Sequence, residues 1–501
     1  MKRFVLLMVL LLAVSFAFAA KDMLIIGTTD KIKILDPAKC YDYFSSNIIQ
    51  NIMAGPVDYE IGTSTIKPWL AESWDVSEDG LVYTFHVRKD AVFEDGRAID
   101  AEVFKYSYDR VINLNGDPAF LLSDIIDKIE VVDKYTFKIY LKYPFSAFVS
   151  ILGYTVAYPV HPEIFPDDDF YNEAPPSSGP YRIKEWLRDV RIVLEANPNY
   201  FGEKPKTKTI VINFYESAAT LRLALETGEI DVAYRDLDPR DILDLKENSA
   251  FVTYEGDSPQ IRYLVVNVKQ PPFDNALVRK AIAYAVDRNR IVSDVFVGLM
   301  KPLYSMIPAG MWGHIDAFSE RDLDVARALL IAAGYSEDNP LEIDLWYTPT
   351  HYGTTEADVA QVLKESLEET GMIYVTIKYA EWSTYIDYFL NGTMGLFLLG
   401  WYPDYLDPDD YVWPFLSVEG AKSLGSFYEN EEVENLMKAA RISAKQATRA
   451  EIYNQVQIHL VVDMPNIPLW QGKAICIAKP NVKGIVLEPT QIFRYYILYA
   501  E

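Results

Sequence analysis

The sequence has few of the residues on which disulfide scaffolds and zinc sites depend. Its 501 residues include two cysteines and five histidines, which excludes a small disulfide-held framework and leaves few ligands for a structural zinc ion. Basic residues are also scarce, with 47 Lys and Arg against 72 Asp and Glu. The net charge of −25 excludes the basic footprint of a nucleic-acid-binding protein and disfavours docking on anionic lipid.

Long apolar runs are rare, and the one that stands out lies at the start of the chain. The basic pair Lys2-Arg3 precedes an apolar stretch, 4–18, that ends in Ala17-Phe18-Ala19. A basic region, an apolar region and a small-x-small cleavage site together form a secretory signal peptide. The sequence therefore predicts a signal peptide over 1–19 and a soluble mature protein in the periplasm. No cysteine lies beside the predicted cleavage site, so no lipid anchor is indicated.

The two cysteines, Cys40 and Cys476, lie at opposite ends of the mature chain. An oxidising compartment permits a disulfide between them, which would join both ends of the chain in one domain. The alternative is two separate buried thiols. Both stay open, because a disulfide depends on a Cα separation that a sequence does not supply.

Composition and pattern indicate a large globular protein of about three domains. The chain is 50% hydrophobic and contains 35 tyrosines and 9 tryptophans, most of which belong in a core, although aromatic side chains also suit ligand cavities. In the first third, alternating residues predict a hairpin of strands 74–76 and 81–87 and a strand over 135–142. Asp100 is positioned to cap a helix over 101–111.

After residue 200 the pattern alternates between strands and amphipathic helices. The predicted segments are strand 210–214, helix 218–226, helix 239 onward with Asp238 as its cap, strand 261–268, a helix capped by Asp274, strand 341–347, helix 356–369, strand 372–378, helix 382–391 and strand 395–401. Such alternation predicts an α/β fold with helices packed on the faces of a sheet.

Four stretches of the chain carry a resemblance to a known family. They lie within residues 70–102, 178–202, 266–288 and 400–408, and they include Leu70-Ala71-Glu72-Ser73-Trp74, Ser178-Gly179-Pro180-Tyr181, Val278-Arg279-Lys280-Ala281-Ile282 and Gly400-Trp401-Tyr402-Pro403-Asp404. Together they resemble the family 5 extracellular solute-binding proteins, the dipeptide, oligopeptide and nickel receptors of ABC importers. The stretches follow the family's order and spacing and span nearly the whole mature chain, so the resemblance is specific.

The resemblance implies a two-lobed periplasmic-binding-protein (Venus-flytrap) fold, in which the chain crosses twice between the lobes, near 263–268 and near 470–477. The divisions that we expect are lobe I in 20–57, 178–263 and 473–501, a β-rich subdomain of lobe I in 58–177, and lobe II in 264–472. A solute held between the lobes would favour hinge closure, and the closed form would deliver it to the permease.

The resemblance also implies a set of ligand-binding residues. Asp404 stands where peptide receptors carry the aspartate that pairs with the α-ammonium group of the ligand. A desolvated ammonium group needs such a carboxylate, and loss of one partner costs about 3–5 kcal/mol. The alternative is that Asp404 caps the following turn, but Asp407 is already positioned as a cap.

Further candidates surround Asp404 in sequence. Trp401 and Trp382 match positions where tryptophans form the wall of the pocket, and their rings are suited to stacking on a side chain or a sugar; core packing is the alternative. Tyr402, Tyr405 and Gly400 complete the predicted ligand-binding set.

The sequence departs from the family at the acid end of the ligand. Leu398 stands where some oligopeptide receptors have an arginine, and Ala357-Asp358 stand where dipeptide receptors have one. A free dipeptide is thereby disfavoured, whereas longer peptides, other amine-bearing solutes and oligosaccharides stay open, with a peptide favoured. Nickel is not expected, because the arginine pair and the histidine of nickel receptors cannot be placed.

Enzyme motifs were not found. The sequence has no His-x-x-x-His pair, no Gly-x-Ser-x-Gly elbow and no Walker loop. A secreted glycosidase would need two carboxylates at a fixed separation, and a periplasmic chaperone is a third class. The expectation is a monomeric binding protein without cofactor or metal, whose partners are a small solute and the permease subunits of an ABC importer, and not nucleic acid.

Overall fold

A computed structural model describes residues 22–235, 237–349 and 351–501. The predicted signal peptide, 1–19, lies outside the described residues. Within those ranges, no helix is long and apolar enough to span a membrane.

Strands and helices are numbered along the chain. The elements up to residue 177 are β1 Met23–Thr28, α1 Tyr43–Ile52, β2 Val57–Tyr59, β3 Ile66–Pro68, β4 Ala71–Val76, β5 Val82–Val87, α2 Ala101–Leu114, α3 Phe120–Ser123, β6 Ile126–Asp133, β7 Thr136–Leu141 and α4 Phe148–Ile151. Those that follow, up to residue 300, are β8 Tyr181–Leu187, β9 Arg191–Ala196, β10 Thr209–Phe214, α5 Ala218–Glu226, β11 Val232–Tyr234, α6 Pro239–Glu247, β12 Val252–Val266, α7 Ala276–Ala285 and α8 Arg288–Arg290.

The remaining elements complete the chain. They are β13 Lys301–Pro302, α9 Leu323–Ala332, β14 Leu341–Tyr347, α10 Glu356–Glu368, β15 Ile373–Tyr379, α11 Trp382–Leu390, β16 Leu396–Trp401, α12 Trp413–Leu416, α13 Val418–Ser423, α14 Glu431–Ile442, α15 Gln446–Asp463, β17 Asn466–Ala478, β18 Val482–Lys483 and β19 Tyr499–Ala500. Single 3₁₀ turns cover Thr155–Ala157, Pro408–Tyr411 and Tyr495–Ile497, and a π-helical turn covers Ile291–Val295.

Two long antiparallel strands, β12 and β17, run through the middle of the largest sheet. The order of that sheet is β15-β14-β16-β12-β17-β11-β1-β10-β9-β8, with β13 also paired to β17. The register between β12 and β17 shifts twice, between Asp257 and Ile261 and again between Arg262 and Tyr263. Such irregularities bend a strand. This bend separates the part of the sheet that precedes residue 258 from the part that follows residue 260.

Separate hydrophobic cores lie on the two sides of the bend. The core that we call the lobe II core draws its buried residues from Ile261 to Trp470. The lobe I core contains Leu24 of the first strand together with Tyr495 near the C-terminus. A third core belongs to the β-rich subdomain, whose antiparallel sheet has the order β4-β5-β7-β6. The fold is therefore the predicted two-lobed α/β fold with a β-rich subdomain, while the exact domain boundaries stay a prediction.

Local signals account for most of the predicted elements. The Asp100 carboxylate accepts a hydrogen bond from the backbone N–H of Val103, which caps α2 as predicted. Helix α5 begins with a reciprocal capping box between Ser217 and Thr220, and Gly228, with φ +82°, follows its last turn.

Two predicted boundaries were wrong. Asn275, not Asp274, caps α7, because Asp274 belongs to the preceding turn and donates its backbone N–H to the carbonyl of Gln270. The strand predicted over 261–268 begins nine residues earlier, at Val252. Gly256 and Pro259 hid this first half, since both residue types are rare in regular strands.

The two cysteines do not form a disulfide. Cys40 and Cys476 are both free and buried, and the Sγ atom of Cys40 lies 3.5 Å from the Oγ atom of Ser46. Burial raises the pKa of Cys40 to about 12 and raises that of Cys476 as well. The structure therefore has the second alternative, two separate buried thiols. Their raised pKa values keep them protonated and unreactive.

Candidate functional site

Two adjoining cavities lie between the lobes and form one cleft. The first, of about 570 Å³, reaches Arg262 and is named the arginine chamber; the second, of about 590 Å³, reaches Asp404 and is named the aspartate chamber. The residues that line both are Thr29, Asp30, Tyr43, Arg235, His351, Tyr352, Tyr402 and Gln491. These shared residues lie between the two chambers, which therefore adjoin each other.

Asp404 supplies a buried carboxylate to the wall of the aspartate chamber. It lies in the loop that follows β16 and is 7% exposed. Its Oδ2 atom accepts a hydrogen bond of 3.1 Å from the hydroxyl of Tyr41. Burial raises the pKa of Asp404 to about 7, and the hydrogen bond from Tyr41 opposes that rise. Over the described ranges, no lysine or arginine lies within ion-pairing distance of this carboxylate.

Asp410 is joined to the segment around Asp404 by two hydrogen bonds. The backbone N–H of Asp404 and the indole N–H of Trp401 both donate to its Oδ2 atom, at 2.9 and 3.2 Å. Burial, and then the charge of Asp404, raise the pKa of Asp410 well above its usual range. Burial and mutual repulsion therefore disfavour ionisation of both carboxyl groups at once.

The other acids of the motif are paired with arginines. Asp407 binds Arg449 through two hydrogen bonds of 2.8 and 2.5 Å, and it caps the following turn by accepting from the backbone N–H of Asp409. Asp409 binds Arg441 at 2.8 Å. These partners hold the loop in place, and they leave Asp404 as the member of the group that is directed to the cleft.

The two candidate tyrosines line the cleft in different ways. Tyr402 lines both chambers and accepts a hydrogen bond of 3.5 Å from Nη2 of Arg235. Tyr405 lines the aspartate chamber, but its hydroxyl donates to Asp409 and its ring packs edge-on against Phe145 at 6.3 Å. Tyr402 is thus the more available of the two to a ligand.

The other three candidates lie behind the walls of the chambers. Trp382 stacks on His351 with ring centroids 3.6 Å apart and an angle of 4° between the planes. Trp401 packs edge-on against Phe415. Gly400 lies opposite Arg262 on the neighbouring strand. Direct ligand contact by these three residues stays a prediction.

Arg262 is a cleft residue that the sequence reasoning missed. It projects from β12, is 2% exposed, lines the arginine chamber and forms an ion pair with Glu356 at the start of α10. Its guanidinium lies 3.7 Å from the centre of the Tyr352 ring. Burial raises the pKa of Glu356, and Arg262 opposes that rise. The available signal was a single charge within the apolar run 261–268.

Arg235 is a second cation of the cleft and lines both chambers. It adopts a positive φ of 68°, which is uncommon outside glycine. Its guanidinium lies 3.2 Å from Asp30 and 3.9 Å from the centre of the Tyr43 ring. No sequence pattern marks this conformation, so the sequence reasoning did not identify the residue. The cleft therefore contains two arginine side chains at positions other than those of the family's arginines, and each is paired with a carboxylate of this chain.

Comparison with known proteins gives consistent results. The sequence profile of the bacterial extracellular solute-binding proteins, family 5 Middle, matches residues 65–423. The probable D,D-dipeptide-binding periplasmic protein DdpA of Escherichia coli (strain K12) is 29% identical over 500 residues, with 96% of each chain covered. The dipeptide-binding protein of the same organism is 28% identical over 466 residues, with 86% of each chain covered.

A solved structure gives the same result for the fold. The periplasmic binding protein DppA from Helicobacter pylori, in complex with the peptide STSA, superposes with a TM-score of 0.83 and 26% sequence identity, covering 96% of this chain and 98% of that one. The match extends over both lobes and the cleft between them.

Proposed function

The chain belongs to the family 5 bacterial extracellular solute-binding proteins, a family of binding proteins rather than enzymes, and from this premise we propose that it is the periplasmic receptor of an ABC importer for peptides with a free amino group. The observation that carries the proposal is the buried carboxylate of Asp404 on the wall of a cavity of about 590 Å³ between the lobes. A relative and a solved neighbour whose names mention peptides support the same ligand class.

Ligand capture would begin at Asp404. The α-ammonium group of a peptide supplies up to three N–H donors, and a buried carboxylate without a cationic partner is the group that it needs. In the structure the hydroxyl of Tyr41 occupies one acceptor position of that carboxylate. The ammonium group would take the remaining positions or displace the hydroxyl.

Closure of the lobes would follow from contacts on both sides of the cleft. Tyr41 and Arg235 come from lobe I, whereas Tyr402 and Asp404 come from the segment that follows β16 in lobe II. A ligand that contacts both sets binds the closed form better than the open form, and this difference shifts the equilibrium. The closed monomer would then deliver the solute to the permease without catalysing a reaction. The signal peptide would be present only before export.

An oligosaccharide is less well supported. Sugar recognition commonly uses an aromatic face that is open to the ligand. One face of Trp382 is covered by His351, and the ring also lies against Tyr385 at 6.1 Å and 24°. Trp401 is committed to Asp410 and Phe415. Neither ring offers a free platform in this arrangement.

A thermal-shift screen of the mature protein, residues 20–501, tests the proposal. The probes are peptides of two to six residues, their N-acetylated forms, polyamines, oligosaccharides and nickel. A ligand at 100 times its Kd stabilises the folded state by about 2.7 kcal/mol, which raises the Tm visibly. We expect shifts with peptides and none with the N-acetylated forms. Shifts with oligosaccharides alone, or with N-acetylated peptides equally, would contradict the proposal.

A further inference from the structure

The β-rich subdomain contacts lobe II directly, outside the two chambers. The backbone N–H of Ser146 donates a hydrogen bond of 2.8 Å to the carbonyl of Arg441, in the last turn of α14. The hydroxyl of Ser146 lies 3.5 Å from the carbonyl oxygen of Ala440, a residue of the lobe II core that is 294 positions away. None of these three residues lines either chamber. The contact therefore lies away from the place where a ligand would bind.

Aromatic packing adds to this contact. Phe145 is 1% exposed within the subdomain core, and that core also includes Tyr405, from the segment that follows β16. The two rings pack edge-on with their centroids 6.3 Å apart, and the guanidinium of Arg441 lies 4.9 Å from the centre of the Phe145 ring. Edge-on aromatic pairs and cation–π contacts are both favourable. We call the group formed by Phe145, Ser146, Tyr405 and Arg441 the latch.

The latch is tied to the loop that carries Asp404. Arg441 binds Asp409 at 2.8 Å, and the hydroxyl of Tyr405 donates to the same carboxylate, also at 2.8 Å. Tyr405 directly follows Asp404 in the sequence. The residues of lobe II that touch the subdomain are thus bonded to one another and continuous with the loop that lines the aspartate chamber.

We propose that the latch holds lobe II against the β-rich subdomain, so that the closed form is populated before a ligand binds. A contact that exists only while the lobes are together stabilises the closed form over the open form, whichever solute is bound later. A receptor whose closed form is already populated binds its ligand more tightly than one that must first close. The inference goes beyond the proposed function, because it assigns the subdomain a role that does not depend on the solute.

Ser146→Pro removes the interlobe donor and suits the local turn. Phe148 donates its backbone N–H to the carbonyl of Phe145 at 3.1 Å, and Ala147 has φ −89° and ψ 4°. These angles are those of the third residue of a type I turn, in which proline is favoured at the second residue, here position 146. The proline ring would take the place of the N–H that faces Arg441, and lobe II would have to move away.

Two control variants match the changes made in the latch. Ser146→Ala keeps the backbone donor and loses only the hydroxyl contact of 3.5 Å. Phe145→Leu and Phe148→Leu each shorten a buried phenylalanine of the same subdomain core. Phe148 packs against Tyr83 of the subdomain, with ring centroids 4.9 Å apart, whereas Phe145 packs against lobe II. The comparison of the two leucine variants therefore separates the latch from the general stability of the core.

The open–closed equilibrium is measured by double electron–electron resonance on the mature protein, after extensive dialysis and with no ligand added. Spin labels are attached at Val132→Cys in the subdomain and at Ile458→Cys in lobe II, two positions that are 50% and 58% exposed. Cys40 and Cys476 are buried, so they do not compete for the label. The distance between the labels is short when the latch is formed and longer when the lobes separate.

We expect the labelled protein and its Ser146→Ala variant to show a population at the distance of the structure. In Ser146→Pro the ratio of closed to open molecules should fall about fivefold, because one interlobe hydrogen bond is lost, and Phe145→Leu should lower the ratio more than Phe148→Leu does. A labelled protein that is entirely open, or a Ser146→Pro variant with an unchanged ratio, would overturn the inference. If Ser146→Pro does not fold, equal ratios in the two leucine variants would overturn it. Because no ligand is used, these results are independent of whether the proposed function holds.

Discussion

Tyr41 and Asp404, 363 residues apart in the sequence, are joined across the cleft by a hydrogen bond of 3.1 Å. The donor comes from the N-terminal part of the chain, just before α1, and the acceptor comes from the loop after β16. This bond connects the two lobes at the carboxylate that we assign to the ligand's ammonium group. Under the proposed function, ligand binding and lobe closure would therefore depend on the same atoms.

The first prediction concerns the carboxylate itself. Asp404→Asn keeps the shape of the side chain but removes its charge, so a bound ammonium group loses its counter-ion. We expect the free energy of peptide binding to weaken by about 3–5 kcal/mol, as measured by calorimetry. The fold should be retained, because the substitution also relieves the repulsion between Asp404 and Asp410. Unchanged affinity would exclude the ammonium anchor.

The second prediction concerns the hydroxyl that faces Asp404. Tyr41→Phe removes one donor and leaves the ring contacts with Phe120 and Tyr154 in place. A net loss of about 1 kcal/mol in binding free energy is expected if the hydroxyl also holds the closed form. If the hydroxyl only occupies the ammonium position in the empty protein, affinity should rise instead. Calorimetry at pH 7.5 distinguishes the two results, and no change at all would mean that this bond has no role in binding.

The third prediction is a pH dependence of binding. Because burial raises the pKa of Asp404 to about 7, its charge is lost as the pH falls below 7. The ligand's α-amino group loses its own charge above about pH 8. Affinity should therefore be greatest between pH 7 and 8 and fall up to about tenfold per unit below pH 7. Calorimetry from pH 5 to pH 8.5 measures this, and a flat profile below pH 7 would contradict it.

The stability of the empty protein should change in the opposite direction. A carboxyl group whose pKa is raised in the folded state is more readily ionised in the unfolded chain, where its pKa is about 3.9. Its contribution to stability is therefore most favourable at low pH and declines by up to about 1.4 kcal/mol per unit between about pH 4 and pH 7. Asp410 acts in the same direction. The difference in Tm between the unmodified protein and Asp404→Asn should accordingly shrink from pH 7 to pH 5.

The fold was predictable where the signal is local or covers many residues. The cap of α2 at Asp100 and the hairpin of β4 and β5 follow from neighbouring residues, and both are present. The two-lobed architecture followed from the family resemblance, which spans the chain. The first half of β12 was missed, because glycine and proline at the bend weaken the strand pattern where the lobes join.

The site was predictable only in part, for a physical reason. Asp404 belongs to a contiguous motif, so sequence comparison identifies it. Arg262 and Glu356 are 94 residues apart and meet only after folding, and Glu356 alone resembles an ordinary surface charge. Arg235 depends on a backbone conformation that its sequence does not indicate. Each of these arginines meets its carboxylate partner only in the folded chain, so neither pair leaves a sequence pattern.

The last prediction concerns Gly400, for which the structure indicates a packing role. A Cβ atom at this position would lie 2.5 Å from Nη1 of Arg262 and 2.9 Å from the Tyr352 ring. Both neighbours are held, the arginine by Glu356 and the tyrosine by the stacked guanidinium. Gly400→Ala should therefore cost about 1–3 kcal/mol in the free energy of unfolding, as measured by urea denaturation.

Gly472 provides the control for this experiment. It lines the arginine chamber, and the nearest atom to its added Cβ is Oε1 of Gln260, at 3.1 Å. That atom is the end of a flexible side chain, which can move aside. Gly472→Ala should therefore change the unfolding free energy by less than Gly400→Ala does. If the two variants are equally stable, the close packing of Gly400 against Arg262 is not a constraint.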